Sequence, residues 1–324
     1  MSKRILTVIL AVVLIISFTG CSSHSSAPDN TFDDIEINPD ADAAKTETIS
    51  ATLYYADSSL RFLVDESRKI ETPVNDRIEV FILQELIKGP SSSNSSFNSL
   101  INPNTKIVSV SDSGDVLTIV LSNEFLSWPF DTEASNSDTL KMLSVYSIVN
   151  TLVESSGYPR IQILVDRNSS GAGQRLRIHE LGSSGYFSSG EAGILGPLSR
   201  NGSIVLSPVN ALNEILKSMT TKDLSSLYLR IAYSDTYGHK RPDETAFLSY
   251  AQASPTIEGY SIGDVIVSDD GQSAVIMIDY TLRLTNEQSL TRTNVPTTVY
   301  KENGVWKQKY SDFQKLFDVA EEIG

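Results

Sequence analysis

The chain carries one thiol in 324 residues, Cys21, and that scarcity limits how it can be held together. Without a second cysteine there is no disulfide framework. With the only cysteine near the N-terminus, none is left in the bulk of the chain for thiolate catalysis or a Cys-ligated zinc site. Folded parts must therefore rest on hydrophobic cores. What precedes Cys21 accounts for its position: Lys3 and Arg4 give a positive start, and ILTVILAVVLIISF, residues 5–18, is uncharged. A membrane-spanning helix needs about 20 apolar residues. This run is shorter and ends in small polar residues, so residues 1–20 read as a signal peptide that is removed.

Thr19, Gly20 and Cys21 resemble the lipobox of bacterial lipoproteins, with Phe18 standing where that family usually has leucine. The resemblance implies a diacylglycerol on Cys21, no other cofactor, and an extracytoplasmic protein anchored to the cell membrane. Two acyl chains hold a membrane durably where one does so only marginally. An ordinary secretory signal with a chance cysteine, or an uncleaved anchor, is the alternative reading of the same residues.

Residues 21–50 read as an acidic, disordered tether. From 22 onward they hold seven acids against Lys45, among scattered Ser, Pro and Asn. Such a segment has too little apolar surface to offset its ordering entropy. The full chain has a formal net charge of −14, and losing Lys3 and Arg4 makes it two units more negative. Coulomb repulsion from phosphates therefore argues against nucleic acid as a partner. A local basic patch is compatible with this balance, but no dense Lys/Arg run is present.

Beyond residue 50 the chain is long enough for two domains, and its 40% hydrophobic and 20% charged content are globular values. ATLYYAD, residues 51–57, alternates as a strand, and RFLVDESRKIE, residues 61–71, reads as a shorter edge strand. VNDRIEVFILQELIKGP, residues 74–90, predicts a helix with Ile78, Phe81, Ile82, Glu85 and Leu86 at helical spacing and Gly89-Pro90 as its stop. KIVSVS and VLTIVLS flank the turn DSGD, residues 112–115, as a hairpin. Residues 137–157 predict a second helix with Leu140, Leu143, Ile148, Leu152 and Val153 close to one face, and RIQILVDR, residues 160–167, a strand. The order is strand, helix, strand, strand, helix, strand. It predicts an α+β unit with helices on one face of a small sheet.

These residues resemble the GerMN domain of GerM-type sporulation and spore-germination lipoproteins. The likeness rests on TLYYADSSLRFLVDESRKI, the helix ending LIKGP, INPNTKIVSVSDSGDVLTIVLSNEF and YPRIQILVD, over residues 51–167. The loop LSWPFDTEASNSD, residues 126–138, departs where related sequences often carry glycine. So does Asp166-Arg167, where glycine often follows the aspartate. The resemblance implies a βαββαβ domain similar to ring-building folds, in which a helix face of one subunit packs on the sheet of the next. It brings no catalytic residues, and it implies assembly with itself or with another envelope protein.

The GerMN-type domain is placed at 51–182 and a Gly/Ser-rich linker at 183–202, although the Gly/Ser character begins at 168. Within it, Tyr186-Phe187 and Ile194-Leu195 suggest docking points. Residues 203–324 change grammar. Ser207-Pro208 opens a helix with Leu212, Ile215, Leu216 and Met219 in register. Helices starting at Asp223 and at PDETAFLSYAQA follow, then four strands with DDG and ENG turns. This order, ending in ENGVWKQKY, resembles the NTF2-like fold: helices packed on a curved antiparallel sheet. It implies a concave side that is either a pocket for a small molecule or cell-wall fragment, or simply a core.

The candidate polar cluster is AYSDTYGHKRPDET, residues 232–245, in which Asp235, Tyr237, His239 and Asp243 lie close together. A histidine with two carboxylates is the kind of set that orients a base or ligates a metal. The same spacing, with Gly238 and Pro242, also describes a solvated connection between helices. His179 in an isolated His-Glu pair makes no zinc motif, and His24 sits in the tether. Trp128 reads as a partner anchor or as a plug at the edge of the first core, and Trp306 as core. There is no Walker loop, GxGxxG or GxSxG. The expectation is a protein without catalytic residues or a metal, working by protein-protein interaction outside the membrane, with ligand binding by the second domain as the alternative.

Overall fold

The computed structural model describes residues 45–318, apart from 95, 183–186, 188–192 and 285. The expected signal peptide, Cys21, His24 and most of the expected tether lie outside the described residues. TETIS, residues 46–50, was expected in the tether but is strand: β1 runs Thr46–Ala56 and pairs antiparallel along its whole length with β2, Leu63–Pro73, from Thr46↔Pro73 to Ala56↔Leu63. Thr46–Ser50 are mostly exposed and are held by the ladder to β2, whereas Ala51 and Leu53–Ala56 are buried. β2 is thus as long as its partner, not shorter.

Helix α1, Ile78–Lys88, stops at Gly89, whose φ of 94° suits glycine, with Pro90 behind it. It buries Ile82, Leu83, Leu86 and Ile87. Glu85 shares their spacing but turns outward to Arg68 and Lys88. The hairpin follows as β3, Ile107–Ser113, and β4, Val116–Ser122, around Gly114 at φ 61°. Helix α2, Ser137–Ser156, leads to β5, Arg160–Asp166, which lies parallel to β4. A short β6, Gln174–Arg175, is added antiparallel to β5.

The strands expected in one small sheet occupy two. β3-β4-β5-β6 form one sheet, and β1-β2 form a separate ribbon. The reason lies in α2. The free edge of β1 faces this helix, and hydroxyls spaced four residues apart along it serve the strand's backbone. Ser155 accepts from the Thr52 N–H at 3.0 Å and donates to its carbonyl at 3.2 Å. Thr151 accepts from the Tyr54 N–H at 3.0 Å, and Ser147 donates to the Tyr54 carbonyl at 2.6 Å. A helix thereby does what a neighbouring strand would do, since buried backbone groups must be paired. The α+β class holds.

The second half opens with α3, Pro208–Thr221, capped by Ser207 accepting from the Asn210 N–H. α4, Leu224–Leu229, and α5, Glu244–Ala253, are capped in the same way by Asp223 and Asp243. The meander β7, Thr256–Val267, β8, Ser273–Arg283, β9, Ser289–Glu302, and β10, Val305–Lys307, gives the order β10-β9-β8-β7. A last helix, α6, Tyr310–Lys315, follows. Strict alternation in β8 points Ile276, Ile278, Tyr280 and Leu282 inward. Leu212, Ile215, Phe247 and Phe313 join them there, all fully buried. The concave side is therefore packed as core, with α6 laid over part of it: the Tyr280 hydroxyl donates to the Leu316 carbonyl at 2.9 Å.

From Thr46 onward the chain forms one compact unit. The halves are fastened by the buried pair Asp57–Arg230, by Arg61–Glu214 at 3.0 Å and by a parallel bridge between Leu63 and Val205. The described part of the Gly/Ser-rich stretch is docked rather than loose. Leu176, Ile178, Leu181, Phe187 and Leu195 are buried, and Leu198 bridges to Ile161. Phe187 stacks on Tyr146 at 5.8 Å.

Candidate functional site

The predicted cluster does not converge as a set. Asp235 and His239 meet, the His239 Nδ1 lying 2.9 Å from Asp235 Oδ2. The other Asp235 oxygen accepts the backbone N–H groups of Tyr237 and His239, each at 2.8 Å. The His239 hydrogen bond, opposed by slight burial and assisted by those amides, holds the Asp235 carboxyl below its usual range. Tyr237 is 87% exposed. Asp243 turns away to cap α5, accepting from the Ala246 N–H at 2.8 Å. The loop closes on itself through a Ser234–Lys240 bridge, so the carboxylate is spent on holding its own turn. A cavity of about 170 Å³ adjoins it, walled by Asp235, His239, Arg241 and Gln314.

His179 is exposed and Trp306 is core at 6% exposure. Trp128 is half-buried against the first core, its ring 5.6 Å from Phe125 and 5.7 Å from Phe130. Among the described residues, no group of three or more His, Cys, Asp or Glu is placed to hold a metal, and no helix is long and apolar enough to cross a membrane.

Two surfaces went unrecognised in the sequence. One is a groove of about 430 Å³ between α1 and the start of β3, lined by Val80, Gln84, Ile87, Lys88, Thr105 and Ile107. The Thr105 hydroxyl is buried there with no protein partner. β3 is the outermost strand of its sheet, so one side of its backbone has no strand neighbour, and Val108 is 38% exposed. Arg77 covers one end of that strand, reaching Asp112 at 2.7 Å. An open edge of this kind is a template for pairing with another chain.

The other surface is a cleft of about 400 Å³ lined by Arg167, Gln174, Arg175, Arg177, Glu180 and Ile194. Its floor depends on glycine. A Cβ on Gly173 would lie 2.7 Å from Leu164 Cβ and 2.9 Å from Val120, so only glycine lets β6 lie this close to β5. The alternation Arg175-Leu176-Arg177-Ile178 buries the two apolar residues and exposes both arginines. That alternation was the available signal, and it is masked by the surrounding Gly and Ser.

Residues 52–170 match the family model Germane, described as sporulation and spore germination. This stretch is similar to the Germane family. It spans a little over a third of the chain, and the α1–β3 groove lies inside it, whereas the arginine cleft straddles its C-terminal limit. No curated protein matches the chain. Among solved structures, the tandem GerMN domains of the sporulation protein GerM from Bacillus subtilis are 18% identical, covering 49% of this chain and 48% of that one at a TM-score of 0.32. A ketosteroid isomerase from Mycobacterium sp. is 11% identical, over 32% of this chain and 91% of that one, with a TM-score of 0.26. An NTF2-like protein from Rhodospirillum rubrum is 16% identical, over 32% and 92%, with a TM-score of 0.25.

Proposed function

We propose that the chain is a lipid-anchored, extracytoplasmic lipoprotein that serves sporulation or spore germination as a non-catalytic assembly module of the cell envelope. The Germane match supports the setting, and Cys21 behind its apolar run supports the anchor. The observation that carries the assembly reading is the unpaired edge of β3 beside the α1 groove, in which Thr105 offers an unused hydroxyl. The occupant is a second copy of the chain, which brings a matching strand edge of its own. The reading as a non-catalytic protein is supported by Asp235 and Asp243, whose carboxylates are committed to a turn and to a helix cap.

Light scattering on the soluble chain from Ser22 onward, over a concentration series, tests assembly. The expected result is a mass that rises with concentration in the wild type and stays monomeric in Val108→Arg, with the melting temperature unchanged. A wild type that is monomeric at every concentration sinks self-assembly. Metabolic labelling with palmitate tests the anchor separately: label is expected on the wild type and not on Cys21→Ala, and an unlabelled wild type removes the lipid.

A further inference from the structure

The arginine cleft sits on a strongly acidic chain, so a surplus of positive charge at one place calls for an account. Three guanidinium groups line it against one carboxylate. That carboxylate is already engaged: Glu180 Oε2 accepts from Arg167 Nη2 at 2.8 Å and from the Arg177 backbone N–H at 2.8 Å. Glu180 thereby fixes the segment that carries the arginines and neutralises one of them. The side chains of Arg175 and Arg177 have no ion-pair partner among the described residues, while elsewhere arginines 61, 68, 77, 160, 200 and 230 each hold an acid. Leu176 at 0% exposure, and Ile178 at 4% in the short 3-10 turn that follows, anchor the stretch that carries both arginines. Arg175 ends β6, and Arg177, still extended at φ −98° and ψ 141°, bridges to Ile194, so both line the same cleft.

We propose that this cleft binds a phosphate ester, with Arg175 and Arg177 taking the phosphate and Ile194 flanking the carbon part of the ligand. Guanidinium forks match the oxygens of carboxylate and phosphate alike, each in bidentate fashion. One carboxylate matches at most one fork, and Glu180 is already engaged with Arg167 and the Arg177 N–H through a single oxygen. A phosphate has oxygens for two forks, which is the number left open. The repulsion between two unpaired cations lining one cleft is relieved by the same ligand. This proposal is independent of the assembly reading, since it uses a different surface. The phosphate can belong to a lipid headgroup or to a soluble phosphate ester, and the test separates the two.

The soluble chain from Ser22 onward is titrated at low ionic strength with sn-glycerol 3-phosphate, following the arginine side-chain Nε–H signals by NMR, with acetate as the comparison anion. The expected result is saturable binding that moves the Arg175 and Arg177 signals, is at least tenfold weaker with acetate, and is lost in R175Q/R177Q. The double variant keeps the wild-type melting temperature, because both side chains are exposed. Arg175→Lys, which keeps the charge but removes the fork, weakens binding without abolishing it. Sedimentation with phosphatidylglycerol vesicles, present in the wild type and absent in R175Q/R177Q, assigns the lipid source; glycerol phosphate binding without vesicle binding assigns a soluble ester. Absence of saturable binding, equal affinity for acetate, or unchanged affinity in the double variant overturns the proposal.

Discussion

Asp57 and Arg230, 173 positions apart in the chain, meet at 2.7 Å with both side chains excluded from solvent. The aspartate also accepts from the Ser59 hydroxyl at 2.6 Å and from the Arg61 and Phe62 N–H groups at 3.1 Å. Arg230 reaches it through Nη2, while Nη1 is buried without a partner. A buried pair stabilises little relative to apolar residues of the same shape, but removing one member strands the other charge at about 3–5 kcal/mol. Asp57→Ala is therefore expected to destabilise the whole unit by that order. Asp57→Asn with Arg230→Met, which keeps an acceptor for the Arg61 and Phe62 N–H groups, is expected to recover most of the loss. Denaturant melts decide it: a single variant within 1 kcal/mol of the wild type denies the pair its role as the clasp between the halves.

The same pair makes stability depend on acid. Burial opposes ionisation of Asp57, but the Arg230 charge and the hydrogen bonds from Ser59 and Phe62 outweigh it and hold the carboxyl below its usual range. A carboxyl whose folded pKa is depressed takes up its proton more readily when unfolded. Its contribution is complete above the unfolded value, roughly pH 4, and fades as pH falls through the lower folded value. Glu66, lowered against its own burial by Asn94, Arg68 and Ser91, adds to the same trend. Denaturation midpoints are expected to fall below about pH 4, with a shallower fall in Asp57→Asn. Equal slopes in the two proteins would show that Asp57 is not among the groups titrating.

The hydroxyl ladder of α2 makes a separate claim. Thr151→Val keeps shape and removes the acceptor of the buried Tyr54 N–H, so it should cost about 1–3 kcal/mol, the range for an orphaned buried group. Ser147→Ala should do the same through the Tyr54 carbonyl. Hydrogen exchange reads the effect locally: the Tyr54 amide should lose protection in Thr151→Val well before the amides of β4 and β5. Uniform loss across both sheets would mean that the valine disturbs the core rather than the strand edge.

Much of the fold was legible where the signal is local. Gly89-Pro90 ends α1, the DSGD turn joins β3 to β4, and Ser207 and Asp223 cap the helices they precede. What escaped is what depends on distant partners. Ser147, Thr151 and Ser155 recur every four residues and look in sequence like the wet side of an amphipathic helix, when they are the reason β1 leaves the larger sheet. Glu85 keeps the spacing of the buried residues of α1 and is drawn outward by Arg68, a residue of β2. The cluster at 235–243 was read from proximity in the chain, and the backbone divides it between a turn and a cap. Arg167 joins Arg175 and Arg177 only because Gly173 lets the chain double back on β5.

Lys222 offers a test in the stabilising direction. It follows the last turn of α3 with φ 58°, a left-handed conformation that favours glycine. Its Nζ is shielded from solvent and has no hydrogen-bond partner, and that desolvation lowers its pKa. A lysine with a depressed folded pKa binds its proton less well when folded than when unfolded, so it detracts from stability at neutral pH, and the deficit shrinks once pH rises past the lowered folded value and is gone above the unfolded value near ~10.4. Lys222→Gly removes both the backbone strain and the shielded amine. A gain of roughly 1 kcal/mol is expected from the backbone alone, larger at pH 7 than at pH 10. Lys222→Met keeps the strain but removes the amine, so comparing the two variants separates the causes. Should glycine destabilise the chain, the lysine stem must be contributing packing against Leu224 and Leu248, its neighbours around the same surface depression, that outweighs its strain.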